Sequence, residues 1–190
     1  MNTVKAKYII EDNIKKSRFI GVIAPCLNEN DAFSMLKALH NEYSDASHLV
    51  YAYRIKTDNG ISYRFHDAGE PTGTAGKPIF QQIEGKELVN TLIAVIRYFG
   101  GIKLGAGGLT RAYGNTAKHV IDVAEICLYV EWVNIQVILD YHQMQPFEYT
   151  LKKLDGRIVA QDFTEQIRLH VQLPKENRET LLKSFPSICR

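Results

Sequence analysis

Residues 89–99, Val-Asn-Thr-Leu-Ile-Ala-Val-Ile-Arg-Tyr-Phe, form a nearly continuous apolar run that Gly100-Gly101 closes. The apolar positions fit a helix, but Val89, Thr91, Ile93, Val95 and Ile96 are β-branched, so the run reads as a buried central strand. Soon after it, Gly105-Ala-Gly-Gly108 opens a helix. Leu109, Ala112, Tyr113, Thr116, Ala117, Val120 and Ala124 fall at i, i+3, i+4, i+7, i+8, i+11 and i+15, the spacing of one helix face. A buried strand, a glycine loop and an amphipathic helix in sequence fix the centre of the fold.

Other elements assemble around this centre. Residues 5–10 and 18–24 are rich in β-branched and aromatic side chains and read as strands, with a polar turn around Asp12-Asn13 and Pro25 ending the second. Residues 28–43 read as a helix, with Glu29 and Asp31 in its first turn, where they favour the positive end of the dipole. Residues 49–55 and 61–65 form a hairpin around Asp58-Asn59-Gly60. A short helix over residues 78–84 follows, stopped by Gly85. Residues 127–141 are strand-like and long, and a domain boundary is placed inside that stretch, giving domains 1–130 and 131–190. The second has its own rhythm: strand 134–141, helix 143–154, strands 157–162 and 166–173, and helix 175–184. That β-α-β-β-α order is one strand short of a ferredoxin-like unit, and residues 185–190 supply only a stub.

Composition narrows the class. Of 190 residues, 45% are hydrophobic and 23% charged, which suits a globular chain rather than a disordered one. The formal charge of +2 does not by itself announce a nucleic-acid binder, so any basic surface must come from local clustering. Cys26, Cys127 and Cys189 form no C-x-x-C or metal knuckle. With no apolar leader and no run of about 18 apolar residues, the expectation is a cytoplasmic protein with free thiols and no membrane partner.

Two segments carry the candidate chemistry: residues 67–78, Asp-Ala-Gly-Glu-Pro-Thr-Gly-Thr-Ala-Gly-Lys-Pro, and residues 97–113 around the glycine loop. Free amides at a helix N-terminus attract anions, and Arg97, Lys103 and Arg111 flank this one. The candidate RNA- or anion-binding set is Arg64, Lys77, Arg97, Gly100, Gly101, Lys103, Gly107, Gly108 and Arg111. The glycines serve equally well to let helix and sheet approach closely, and Arg97 can instead pair with Asp67 or Glu70. The loop is not a Walker loop, since Gly-Lys-Ser/Thr is missing. His66, Asp67 and Glu70, with His48 and Asp45, match no recognised ligand motif, so no metal and no cofactor are expected. Residues 61–124 hold seven Lys/Arg against five Asp/Glu, a small excess. Tyr63, Phe65, Tyr98, Phe99 and Tyr113 offer stacking faces or core packing, with Tyr63 or Tyr98 the better candidates for exposure.

The same residues carry a resemblance. Arg97-Tyr-Phe-Gly-Gly-Ile-Lys-Leu-Gly105 is similar to the signature of the IMPACT/YigZ family, and residues 67–78 resemble its second conserved block. Ser17-Arg-Phe-Ile-Gly21 and Ala46-Ser-His-Leu-Val-Tyr-Ala-Tyr-Arg54 fall where the family has similar text. The family more often reads Asp-Asp-Gly-Glu-Pro, and here Ala68 replaces the second acid. The resemblance implies an α+β fold. Its N-terminal part would be a two-layer, left-handed β-α-β sandwich like a small-subunit ribosomal protein and domain IV of elongation factor G. Its C-terminal part would be ferredoxin-like, as domain V of that factor. Eukaryotic members of the family restrain a kinase that senses amino-acid starvation on ribosomes.

The resulting expectation is a translation-associated regulatory protein, more binding module than enzyme. It would dock RNA, the ribosome or a translation-related protein through the glycine-rich basic loops. The alternatives are a phosphotransfer or hydrolytic enzyme using the same loop as an anion site, and a protein adaptor acting through the C-terminal domain.

Overall fold

A computed structural model of the protein describes residues 1–185. The stub of a last strand and Cys189 lie outside the described residues. The chain divides into two compact units, Met1–Tyr129 and Val130–Arg190.

In the first unit the main sheet has five strands: β2 (Tyr8–Ile14), β3 (Ser17–Pro25), β4 (His48–Thr57), β5 (Gly60–His66) and β6 (Thr91–Tyr98). Their order is β2-β3-β6-β4-β5, and every neighbouring pair is antiparallel. Short β1 (Asn2–Val4) pairs separately with β7 (Ile126–Leu128). Helices α1 (Glu29–Glu42), α2 (Gly76–Gly85) and α3 (Gly105–Val123) complete the unit.

β6 explains its own sequence. It lies between β3 and β4 and is buried from Thr91 to Arg97. Ile93 and Val95 pack with Ile79, Ile83, Tyr113 and Ala117 of α2 and α3. Leu92, Ala94 and Ile96 face the opposite way and pack with Ala32 and Leu39 of α1. A strand covered on both faces needs apolar residues at every position, which erases the two-residue alternation. The unit therefore has three layers, α1 on one face and α2 with α3 on the other, one more than the two-layer sandwich the resemblance implies. Cys26 is enclosed on the α1 side, and burial pushes its thiol up to about 11, so it stays protonated at neutral pH.

The β2–β3 turn differs from its sequence expectation. It lies at Lys15-Lys16, both at positive φ (46° and 67°), while Asp12 and Asn13 pair with Phe19 and Arg18 inside the ladder. Two positive φ values suit a two-residue hairpin, whose twist matches that of the strands. Asn and Asp favour turns locally, but extending β2 to Ile14 keeps Tyr8, Ile10 and Ile14 on the core-facing side. At α1 the local signals agree: the Asn28 side chain accepts from the Asp31 amide at 2.9 Å, capping the helix.

The long strand-like stretch at residues 127–141 holds the end of one strand and the whole of another. β7 ends at Leu128, and β8 (Trp132–Leu139) opens the sheet of the second unit. That sheet has the order β8-β10-β9, with β9 at Arg157–Phe163 and β10 at Ile167–Pro174. Alternate residues Ile135, Val137, Leu139, Ile167, Leu169 and Val171 pack against Phe147 and Leu151 of α4 (Met144–Lys153) and Leu181 of α5 (Arg178–Ser184). Placing the third strand between the first two is the ferredoxin-like arrangement without its last strand, among the described residues.

Candidate functional site

β6 and β4 run antiparallel, so Arg97 near the end of one lies opposite His48 at the start of the other. The loop leaving β5 and the loop entering α3 meet at this end of the two central strands. Together they enclose a pocket of about 320 Å³, lined by Glu70 and Pro71 from the first loop and Lys103, Leu104 and Gly105 from the second, with His48, Arg97 and Phe99 beside them.

A buried ion pair ties the loop that follows β5 to the end of β6. Arg97 NH1 donates to Glu70 Oε1 at 2.5 Å, and each side chain is only 5% exposed. Tyr113, from α3, donates its hydroxyl to the same oxygen at 2.8 Å. Burial, with the Glu70 charge beside it, pushes the Tyr113 phenol far up, so it remains a donor. Arg97 Cζ lies 5.4 Å from the ring centres of both Phe19 and Phe99, and its NH2 points to Ser17 Oγ at 3.5 Å. Its Nε has no partner, which makes the guanidinium sensitive to any change in this packing.

Asp67 shapes the first loop. Its carboxylate accepts from the amides of Gly73, Ala75 and Gly76 at 2.8–3.1 Å, closing residues 67–76 into a compact turn that leads into α2. Burial alone would raise its pKa, but the three amides outweigh burial and hold it below the ordinary carboxylate range. Ala68, where the family pattern has a second acid, sits at φ 49°, a region that Asn and Asp enter more readily than alanine. Its carbonyl accepts from His48 Nδ1 at 2.9 Å. A carbonyl only accepts, so this contact assigns the Nδ1 proton and leaves Nε2 facing Glu70 Oε1 at 3.8 Å.

The second loop is tied down through Gly100. Its amide donates to Ser17 Oγ at 3.2 Å, and a Cβ there would lie 1.9 Å from the Lys16 carbonyl oxygen. Only glycine lets the loop cross the β2–β3 turn this closely. Gly105 begins α3 at φ 70°, and that helix start has neither a side-chain cap nor an acidic residue in its first turn. Its free amides and positive dipole end lie at the pocket.

The residues read from sequence divide accordingly. Lys103 lines the pocket and is exposed. Arg97 lines it too, but as the buried partner of Glu70 rather than a free surface cation, because β6 is the central strand. Gly100 and Gly101 shape the loop, a Cβ at Gly108 would come within 3.0 Å of the Leu104 Cβ, and one at Gly107 would come within 3.7 Å of the Arg111 guanidinium. Arg111 is exposed on the first turns of α3, outside the pocket lining. Arg64 and Lys77 are also exposed, on β5 and at the start of α2, and neither lines the pocket. His48 and Phe99, which sequence reading did not assign to an anion site, line it. The signal for His48 was its position opposite Arg97, which only strand pairing supplies. His66 accepts from the Ala68 amide and stacks on Tyr51. With Asp67 and Glu70 already engaged, no group of three or more His, Cys, Asp or Glu among the described residues is arranged to hold a metal ion. No helix among the described residues is long and apolar enough to cross a membrane.

Residues 15–121, more than half of the chain, match the Impact N-terminal domain. The chain belongs to the IMPACT family. Residues 137–190 match a second family, described as a domain of unknown function. Among IMPACT family members, one from Haemophilus influenzae is 33% identical over 92% of this chain and 85% of its own length. The IMPACT family member YigZ of Escherichia coli is 33% identical over 89% and 83%. A crystal structure of a hypothetical protein, 29% identical, superposes with a TM-score of 0.71 over all of this chain and 94% of that one. A Dictyostelium discoideum protein named as an IMPACT homolog is 32% identical over 57% of this chain and 32% of its own length. The Impact N-terminal match spans β3 through most of α3, and so every residue of the pocket.

Proposed function

We propose that this IMPACT-family protein is a translation-associated regulatory protein that docks RNA, on the ribosome, through the basic surface around the start of α3. The observation that carries this reading is the uncapped N-terminus of α3 beside Lys103, with Arg111 on the following turn and no acidic side chain in that first turn. Backbone amides, the helix dipole and flexible cations suit a phosphate backbone, which needs positive charge without base-specific contacts. The part played in translation by eukaryotic members, implied by the resemblance, supports the choice of partner. Arg97 is left out of the docking set, since its charge is neutralised by Glu70.

The test is affinity for ribosomes and for a ribosomal RNA fragment at several salt concentrations. Lys103→Ala with Arg111→Ala should weaken binding and reduce the slope of log affinity against log salt by about one per lost phosphate contact. Melting temperature should stay near wild type, because both side chains are exposed. An unchanged slope in a folded double mutant would remove this surface from the reading. A wild type without affinity for either probe would remove RNA altogether.

A second reading, hydrolysis or phosphoryl transfer, is favoured by one observation. His48 is oriented through Nδ1, with Nε2 turned toward the Glu70 carboxylate beside the helix N-terminus, the layout of a base near an anion site. Phosphate release from p-nitrophenyl phosphate or ATP, abolished by His48→Ala in a protein that melts like wild type, would support it. Release unaffected by that substitution would end it.

A further inference from the structure

The pocket between the two loops has apolar walls. Pro71, Phe99, Leu104, Ala106 and Leu109 line it, and its volume of about 320 Å³ is at the small end for a ligand site, room for one ring system and too little for a duplex. Phe99 is the aromatic wall. It is 49% exposed, its amide donates to Ser47 Oγ at 3.0 Å, and the Arg97 guanidinium lies over its ring, so the ring is held in place while much of it stays open. Tyr98 packs on the α1 side instead, where its hydroxyl donates to Asp45. The free charges around Phe99 have one sign. Lys103 lines the pocket. The β2–β3 turn, which carries Lys15 and Lys16, lies directly against Gly100, the residue after Phe99. All three lysines are exposed, and none makes an ion pair among the described residues. Residues 13–18 and 98–121 contain no Asp or Glu. On the facing loop, Glu70 is taken up by Arg97 and Tyr113, and Asp67 by three backbone amides.

We propose that this pocket takes one unpaired base of a single-stranded RNA, stacked on Phe99, with the neighbouring phosphates held by Lys103 and by the Lys15-Lys16 turn. The inference rests on the RNA-docking reading and adds two things to it. The strand is unpaired where it crosses the pocket, and its footprint extends past Gly100 to the β2–β3 turn. The combination selects the occupant: an apolar pocket with an open aromatic wall suits a flat ring, and free cations beside it suit a chain whose negative charge repeats at every nucleotide. Stacking tolerates any base, since each has a π face, and a duplex hides those faces. Because the Phe99 ring is already held, little side-chain freedom is lost when a base settles on it.

The experiment measures binding of the full chain to a fluorescein-labelled oligouridylate and to an RNA duplex of similar length, with melting temperature alongside. Wild type should prefer the single strand. Phe99→Leu should lower affinity for the oligouridylate about fivefold or more, with the salt slope and the affinity for duplex unchanged. Phe99→Tyr, which keeps the ring, should bind like wild type, and this variant separates stacking from loss of folding. Lys15→Asn with Lys16→Gly removes both charges and puts Asn-Gly, a pair suited to positive φ at both positions, into the same turn. It should reduce the slope of log affinity against log salt for the oligouridylate by about one to two. A Phe99→Leu variant that binds oligouridylate as tightly as wild type would overturn the base pocket while leaving RNA docking at α3 standing. Equal losses for single strand and duplex would overturn it too. An unchanged salt slope in the folded turn variant would overturn the extended footprint. A wild type that binds neither RNA overturns the inference together with the RNA-docking reading beneath it.

Discussion

Arg97 and Glu70, 27 positions apart, meet at 2.5 Å inside the fold and pin the end of β6 to the loop that follows β5. Neither charge has water to fall back on, so removing one leaves the other buried and unpaired. Arg97→Ala and Glu70→Ala should each lower unfolding stability by about 3–5 kcal/mol. Arg97→Met combined with Glu70→Leu should lose less than either single change, because no orphan charge remains. Urea unfolding of the three variants decides this, and additive losses would show that the residues are not coupled.

Asp67 makes the fold sensitive to acid. Its folded pKa is depressed, so its stabilisation is fully present above the unfolded value of about 3.9 and is lost as pH falls through the folded value. Asp67→Asn should be less stable at neutral pH, and its stability should fall less steeply than that of wild type below about pH 4. Melting temperatures from pH 7 to pH 2 check this, and parallel acid limbs would rule out Asp67 as a contributor.

Gly100→Ala should destabilise the first unit on the order of 1–3 kcal/mol, since the added carbon would overlap the Lys16 carbonyl and displace the β2–β3 turn. Gly85→Ala is the control. A Cβ there meets nothing within 4 Å and the residue ends α2, so the change should be neutral or stabilising by about 0.5–1 kcal/mol. Thermal melts of the two variants make the comparison.

A fragment ending at Tyr129 should melt cooperatively. Both core clusters of the first unit draw only on residues 4–124, and the fragment keeps the β1–β7 register from Asn2↔Leu128 to Val4↔Ile126. A fragment ending at Ile121, where the Impact N-terminal match stops, lacks β7 and should melt at a lower temperature. Circular dichroism of both fragments tests this, and a broad, non-cooperative trace for the longer one would overturn it.

Much of the fold was legible because local and tertiary preferences coincide. α1 begins where Asn28 caps it, and α3 begins at Gly105 and keeps its apolar face over nineteen residues. The β4–β5 turn falls at Asp58-Asn59. Where the two preferences compete, the tertiary one wins. Asp12-Asn13 carries turn chemistry, yet the need to keep Ile14 on the core side moves the turn to Lys15-Lys16. The stretch after Ile126 has strand propensity throughout, but it is divided because its two parts pair with different partners, β1 and β10.

The sequence alone marked the two segments that carry the candidate site. Glycines, prolines and charges in residues 67–78 and 97–113 are local features, readable without neighbours, and they also carry the family signature. Only the tertiary structure decided what each charge does. Arg97, Lys103 and Arg111 are equivalent as letters, but a side chain on the central strand is desolvated and must find a partner, whereas one on a loop or an outer helix turn keeps its water. Burial and pairing depend on residues far away in the chain, Glu70, Tyr113 and Phe19 for Arg97, and no local pattern encodes them.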